Sequence, residues 1–175
     1  MTQTRTAAVT GYLGKYRGTV VNNLDPLKIG RIQAIVPDVS PSPSSWATPC
    51  LPLAGINTGV FAVPPIGSGV WMEYEHGDAD HPIWVGGYWG SLAEVPLLSH
   101  TVPPGVAGIT LQTTLKNGLV ISDAPGPTGG ILITTATGAM ISVSDVGIVI
   151  SNGKGATISL TGPTTDINLG ALTVV

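Results

Sequence analysis

From Gly108 onward the chain repeats one short phrase, a glycine or other turn residue followed by alternating apolar positions. GITL, GLVI, GILI, GAMISV, GIVI, GATISL, TDINL and GALTVV begin at Gly108, Gly118, Gly130, Gly138, Gly147, Gly155, Thr165 and Gly170. The pairs Ile131/Ile133, Ile141/Val143, Ile148/Ile150, Ile158/Leu160, Ile167/Leu169 and Leu172/Val174 each sit two residues apart, which puts both members on one face of a strand. From Gly130 the glycines recur every seven to nine residues, too short a period for a βαβ unit or for one coil of a single-chain solenoid. A strand of this length cannot bury its apolar stripe against its own chain. The expectation is that identical strands from several copies wrap one axis, each chain covering the stripes of the others. That arrangement is an obligate homo-oligomer, most simply a trimer, with the shape of a rod. Its core would be Ile131, Ile133, Ile141, Val143, Ile148, Ile150, Ile158, Leu160, Ile167 and Leu169.

Composition separates this half from the other. Every Trp, Tyr and Phe precedes Gly90, and after residue 100 the charged residues are Lys116, Asp123, Asp145, Lys154 and Asp166 alone. The second half is rich in Gly, Thr, Ser, Ile and Val, and neither half holds a helical run of ten residues, so the chain reads as all-β. The formal net charge is −3, without blocks of like charge, which gives no attraction to nucleic acid or to an anionic membrane. Residues 1–14 lack an apolar core of signal-peptide length, and no stretch is apolar for long enough to span a bilayer as a helix. Synthesis and assembly in the cytoplasm are therefore expected. Cys50 is the single cysteine; between Pro49 and Leu51 it is expected to be a small buried hydrophobe.

In the first hundred residues, Tyr16 to Ile35 reads strand, turn, strand, with Asn-Asn-Leu-Asp-Pro as the turn and Ile32, Ala34 and Val36 alternating afterwards. PDVSPSPSS from Pro37 to Ser45 is a surface loop, and Trp46 to Leu53 resumes an extended path. Gly69–Glu75 and Ile83–Tyr88 form a hairpin closed by HGDADHP. Five strand-like segments in so short a span suit a small closed barrel of the OB type.

These residues resemble a known family. The opening GTVVNNLDPLKIGRIQAIVPD, then SWATPCLPLAG, then VPPIGSGVWMEYEHGDADHPIWVGGYWG, followed by a glycine-punctuated β stalk, are similar to the spike proteins of contractile injection machines. That family includes phage baseplate assembly protein V and the VgrG proteins of type VI secretion. Its signature turns fall here on Asp25, Pro26, Gly30 and Arg31, on Pro64, Gly67 and Val70, and on Gly77, Asp78, Asp80 and Pro82. The resemblance implies a homotrimeric spike whose barrel docks on the tail hub and baseplate and whose needle pierces the target envelope, with transient membrane contact and a role in carrying effector cargo. It also implies a separate conical tip protein of the PAAR type, expected on Leu172, Thr173, Val174 and Val175, where the phrase beginning at Gly170 shows no capping turn and no metal-binding histidines.

Three constellations have plainer readings. His76, Asp78, Asp80 and His81 carry ligand chemistry, but neighbours on a tight turn splay apart and Asp and Gly are turn formers in their own right. Glu73 and Glu75 share a strand face, as do catalytic carboxylate pairs, yet alternation with Met72 and Tyr74 makes them the wet side of the barrel or partners for Arg17 or Arg31. Trp71, Trp84, Tyr88 and Trp89 suit a base-stacking platform, but residues 1–100 hold five Lys and Arg against seven Asp and Glu. The tryptophans are therefore assigned to barrel core and subunit contacts, and no nucleic-acid partner is expected.

The sequence reading is thus a non-enzymatic spike with no catalytic residues, no metal and no cofactor. Residues 1–14 are an N-terminal extension, 15–90 an OB-like, hub-docking barrel, 91–107 a linker too short for an inserted catalytic domain, and 108–175 an intertwined trimeric β-helix (β-prism) needle. The alternative is a trimeric receptor- or glycan-binding tail fibre. It is weakened by the lack of any aromatic after Trp89.

Overall fold

The structure, a computed structural model, describes residues 11–174. Residues 1–10 of the expected N-terminal extension and Val175 of the expected tip surface lie outside the described residues. The chain divides into two compact units, Met1–Leu92 and Ala93–Val175. The described residues are strands, turns and short 3-10 helices, with no α-helix among them, as an all-β chain requires.

The first unit is built from β1 (Tyr16–Asn22), β2 (Gln33–Ile35), β3 (Thr48–Pro49), β4 (Ala54–Gly55), β5 (Thr58–Gly59), β6 (Gly69–Tyr74) and β7 (Pro82–Tyr88). Five of these form one sheet in the order β2-β1-β6-β7-β3, and β4 and β5 form a separate small hairpin. A bridge between Ile32 and Ala47 joins the two ends of the five-stranded sheet. Its two backbone N–H···O contacts measure 3.2 and 2.7 Å, so the sheet curls onto itself as a small barrel. Alternation supplies the interior: Val20, Ile32, Ala34, Val36, Ala47, Val70, Met72 and Trp84 are all buried. Each large aliphatic among them stabilises the unit by roughly 1.5–3 kcal/mol relative to exposure. Between β6 and β7 the register shifts at Trp71/Met72, a bulge that increases the local twist. The expected hairpin over Gly69–Tyr88 is present in this form.

Loop geometry in the barrel depends on the signature residues. The Asp25 carboxylate accepts hydrogen bonds from the backbone N–H of Leu27 at 3.0 Å, Ile29 at 3.0 Å and Arg31 at 3.2 Å, and from Arg31 Nε and Nη2 at 3.0 and 2.6 Å. The guanidinium also lies 5.5 Å from the Trp46 ring centroid. Gly30 has φ +86, a conformation costly for residues with a Cβ, and its carbonyl accepts the indole N–H of the buried Trp84 at 3.0 Å. Pro26 follows Asp25 in this turn, where its fixed φ suits the first corner position. Asp78 accepts the backbone N–H of Asp80 at 3.0 Å and faces His81 Nδ1 at 3.1 Å, while Pro82 starts β7 and is buried.

The second unit is one antiparallel meander of eight strands in sequence order. They are β8 (Gly108–Gln112), β9 (Gly118–Ser122), β10 (Gly130–Thr134), β11 (Met140–Ser144), β12 (Gly147–Ser151), β13 (Thr157–Thr161), β14 (Thr164–Ile167) and β15 (Leu172–Val174). Each strand pairs with the next along its own chain. Within this unit the strand ladder is formed inside one chain. Short turns bring consecutive strands together at little loop-closure cost, and the backbone groups of the inner strands are satisfied within the chain. The glycines at strand starts admit this tight stacking: a Cβ on Gly130 or Gly147 would run into the carbonyl oxygen of Val143 or Leu160.

Part of the stretch expected to be a linker packs on this sheet. The backbone N–H of Leu98, in the 3-10 turn Leu97–Thr101, donates to the Gln112 side-chain oxygen on β8 at 2.9 Å. Cys50 is exposed, contrary to its expected burial. Its N–H pairs with the Trp84 carbonyl, but its side chain is directed away from the barrel interior.

The Asp25 arrangement makes acid stability a test of the barrel. The Arg31 guanidinium, with the three backbone N–H donors, holds the Asp25 carboxyl well below the usual carboxylate range. A depressed carboxyl contributes stability above its unfolded value of about 3.9 and loses it as pH falls below that value toward its folded one. We expect the melting temperature to fall on acidification below about pH 4. Asp25→Asn should lower it at pH 7 and flatten the acid slope, leaving the smaller contribution of Asp78, whose carboxyl is lowered by the Asp80 N–H and by His81. Calorimetry of both proteins between pH 2.5 and 7 checks this; an unchanged slope would show that the contact is idle.

Candidate functional site

The sheet register lines the repeat's apolar residues into two rows that cross all eight strands. One row runs Ile109, Ile121, Ile131, Val143, Ile148, Leu160, Thr165, Val174. The other runs Leu111, Leu119, Ile133, Ile141, Ile150, Ile158, Ile167, Leu172. At the usual strand spacing the rows are about 34 Å long. Most of these side chains are left open: exposure ranges from 37% at Ile121 and Ile148 to 61% at Leu111. The opposite face carries Thr110, Val120, Leu132, Ser142, Val149, Ser159 and Asp166, and Val120 and Ser122 there are buried. The unit therefore covers part of its mixed face and leaves its aliphatic face bare. A contiguous apolar surface of this length marks an interaction site.

Nine of the ten residues named from the repeat as a trimer core stand on these rows. Leu169 does not. β14 ends at Ile167, Asn168 and Leu169 both take positive φ (53 and 54), and Leu169 is 89% exposed in the turn. Asn168 anchors that turn by exchanging hydrogen bonds with Thr157, its side-chain oxygen accepting the Thr157 N–H at 3.0 Å. Leu172 takes the place opposite Ile167 that simple alternation assigned to Leu169. Leu172 and Val174, read from the sequence as tip contacts, lie at the ends of the two rows, on the edge strand β15 beside Thr173. Ile109, Leu111, Leu119 and Ile121 also belong to the rows. Their own spacing of two residues, in GITL and GLVI, was the signal for them.

The barrel carries a second surface, on which the aromatics Trp71 and Tyr88 singled out from the sequence are joined by Arg17, which pattern reading did not place there. Arg17 on β1 lies opposite Trp71 on β6, and its guanidinium carbon sits 5.4 Å from the Trp71 ring and 5.1 Å from the Tyr88 ring. The two rings are 5.0 Å apart. Tyr88 lies across Gly69, where a Cβ would fall 2.8 Å from its ring. Among the described residues Arg17 has no carboxylate partner. The ion pairs expected for Glu73 with Arg17 or Arg31 are instead Lys15–Glu73 and Asp25–Arg31, because Asp25 occupies the Arg31 fork and Lys15 reaches across from the strand approach. Of the tryptophans, Trp84 belongs to the core, Trp71 is half-buried and Trp89 is 62% exposed. The chain between Asp38 and Glu73 holds no charged residue. Its β4–β5 hairpin exposes Ile56, and Phe61 beyond it is exposed as well.

Among the described residues no three His, Cys, Asp or Glu side chains converge as a metal-binding group. A concave site of about 280 Å³ on the second unit is lined by Thr101, Val120, Pro127, Leu132, Met140 and their neighbours, none of them titratable. No helix among the described residues is long and apolar enough to cross a membrane.

Comparison with known proteins agrees with this geometry. Residues 16–89 match the family described as the type VI secretion system/phage-baseplate injector OB domain. Residues 108–173 match the phage baseplate V C-terminal trimerisation domain. No curated protein matches the chain. The barrel match coincides with the curled five-stranded sheet, and the trimerisation match spans the bare aliphatic rows. Both are structural domains of baseplates, and the chain belongs to the phage baseplate V family of injector spike proteins.

Proposed function

We propose that this chain is the non-enzymatic central spike of a contractile injection machine, acting as a homotrimer. The observation that carries the reading is the pair of aliphatic rows left open on a sheet whose interior strands are already paired on both sides within the chain. Three such faces turned toward one axis bury one another and form a three-sided β-prism needle. Covering a half-exposed Ile or Leu gains roughly 1 kcal/mol, and over two rows per chain this far exceeds what a surface can leave unused. The mechanism is stiffness: axial thrust is carried by the strand-to-strand hydrogen bonds, which run across the strands and so along the rows, around a dry centre.

In this reading the particle is assembled in the cytoplasm and acts at the target envelope, where the needle pierces the membrane. A PAAR-type protein closes the far end on Leu172, Thr173, Val174 and Val175, and effector cargo travels with the spike. The barrel joins the needle to the tail hub. The Arg17–Trp71–Tyr88 cluster supports that attachment, because these residue types carry most of the binding energy at protein interfaces. A guanidinium lying on two rings also keeps its N–H edges free to fork a carboxylate.

Sedimentation of the purified protein should give a trimer, with no folded monomer on dilution. Ile150→Asp places three like charges in the apolar centre and should abolish the trimer, whereas Val149→Asp, on the other face, should cost about 1 kcal/mol or less. Equal effects of the two substitutions, or a folded monomeric parent, would refute the reading.

A second expectation concerns docking. Arg17→Ala and Trp71→Ala should each weaken hub binding at least about tenfold, the loss of a strong interface anchor, with the trimer intact. Unchanged binding in a pull-down titration would move the hub contact elsewhere on the barrel.

A further inference from the structure

The two rows hold a single residue that is not aliphatic. Thr165 stands opposite Leu160 on β13 and Val174 on β15. Its companion on the same strand face is Ile167, opposite Ile158 and Leu172. Its side chain is half-buried and makes no hydrogen bond among the described residues. Every other strand contributes two aliphatic side chains to the face; β14 contributes one, with a hydroxyl.

A face made of near-identical aliphatic layers has an alignment problem. Apolar burial is non-directional, so copies displaced along the axis by one hairpin, about 10 Å at the usual strand spacing, would bury nearly the same surface. Rows of Ile, Val and Leu give little reason to prefer one alignment. A hydroxyl changes this. When the copies are level, three Thr165 side chains share one layer and each can donate to the next around the axis. When a copy is displaced, its hydroxyl meets only Ile, Leu or Val of the neighbouring layers and is buried without a partner.

We propose that Thr165 is a register-setting residue of the trimer: a polar layer at β14 that fixes the axial alignment of the three chains at some cost in stability. A lone polar residue in a coiled-coil seam acts in the same way. The proposal rests on the trimeric reading above, with a second and third copy of this chain as the occupants of the face, as the trimerisation-domain match over residues 108–173 supports.

The test uses the full chain with exposed Cys50 changed to Ser and a spin label on Lys154→Cys, in the turn between β12 and β13. Pulsed dipolar spectroscopy of this parent should give one inter-chain distance. Thr165→Val should melt at the same or a higher temperature while a second, longer distance appears. Thr165→Ser, which keeps the hydroxyl, should retain the single distance. A single distance in Thr165→Val would overturn the proposal, as would a lower melting temperature with alignment unchanged. A parent that sediments as a folded monomer would refute the trimeric reading itself, and that result is separable because it precedes any substitution at Thr165.

Discussion

The organising constraint is a mismatch between backbone and side chains in the second unit. The meander of β8 to β15 satisfies its interior N–H and C=O groups from within one chain, so the backbone of its inner strands calls for no partner. The side chains do. An antiparallel sheet of short strands and tight turns is stable only when one face is covered, and here the described residues of the unit supply no layer for its aliphatic face. The free energy still to be gained lies chiefly in apolar contact. That explains why the interaction is with copies of the same chain: a two-row aliphatic face is complementary to itself and to little else on a polar surface.

The barrel solves the same problem alone. Its alternation is no stronger than that of the repeat, but curling brings the inner positions of β1, β2, β6 and β7 against one another, with the Ile32–Ala47 bridge closing the ends. A small barrel needs sharply bent loops, and the residues that define the family signature are spent on those. Asp25 gathers five donors from one loop, and Gly30 offers its carbonyl to Trp84. The Gly77 carbonyl takes the Tyr12 N–H at 2.9 Å. Signature residues in this chain therefore report on loop geometry, while the surfaces suited to recognition, Arg17 with Trp71 and Tyr88, lie outside the signature.

The distribution of charge follows the same division. Acidic and basic groups concentrate in the barrel, where Lys15 pairs with Glu73 and Arg31 with Asp25, and the sheet that would bear load carries almost none. In an antiparallel sheet the hydrogen bonds run perpendicular to the strands, hence along the direction in which β8 to β15 succeed one another. Thrust in that direction would act on a continuous series of hydrogen bonds backed by stacked aliphatic side chains. Like charges in that stack would repel across the axis, and their scarcity is consistent with close approach of identical faces.

Much of this was legible in the sequence because it depends on period and local chemistry. A spacing of two residues placed Ile131/Ile133 through Ile158/Leu160 on one face, turn chemistry located the hairpin at Gly77–Pro82, and the alternation of Ile32, Ala34 and Val36 gave the barrel interior. Pairing partners were not legible, since a period assigns a face without naming the neighbouring strand; only the fold showed each strand pairing with the next in its own chain. Leu169 escaped for the same reason. Its place two residues after Ile167 fits a strand, but the left-handed turn held by Asn168 and Thr157 ends β14 first. The Arg17–Trp71–Tyr88 cluster, the exposure of Cys50 and the isolation of Thr165 among aliphatic neighbours likewise depend on contacts between residues far apart in the chain. Sequence determined which residues face the same way, because that is a property of the backbone repeat. Tertiary structure decided what they face, because that depends on where the chain turns back on itself.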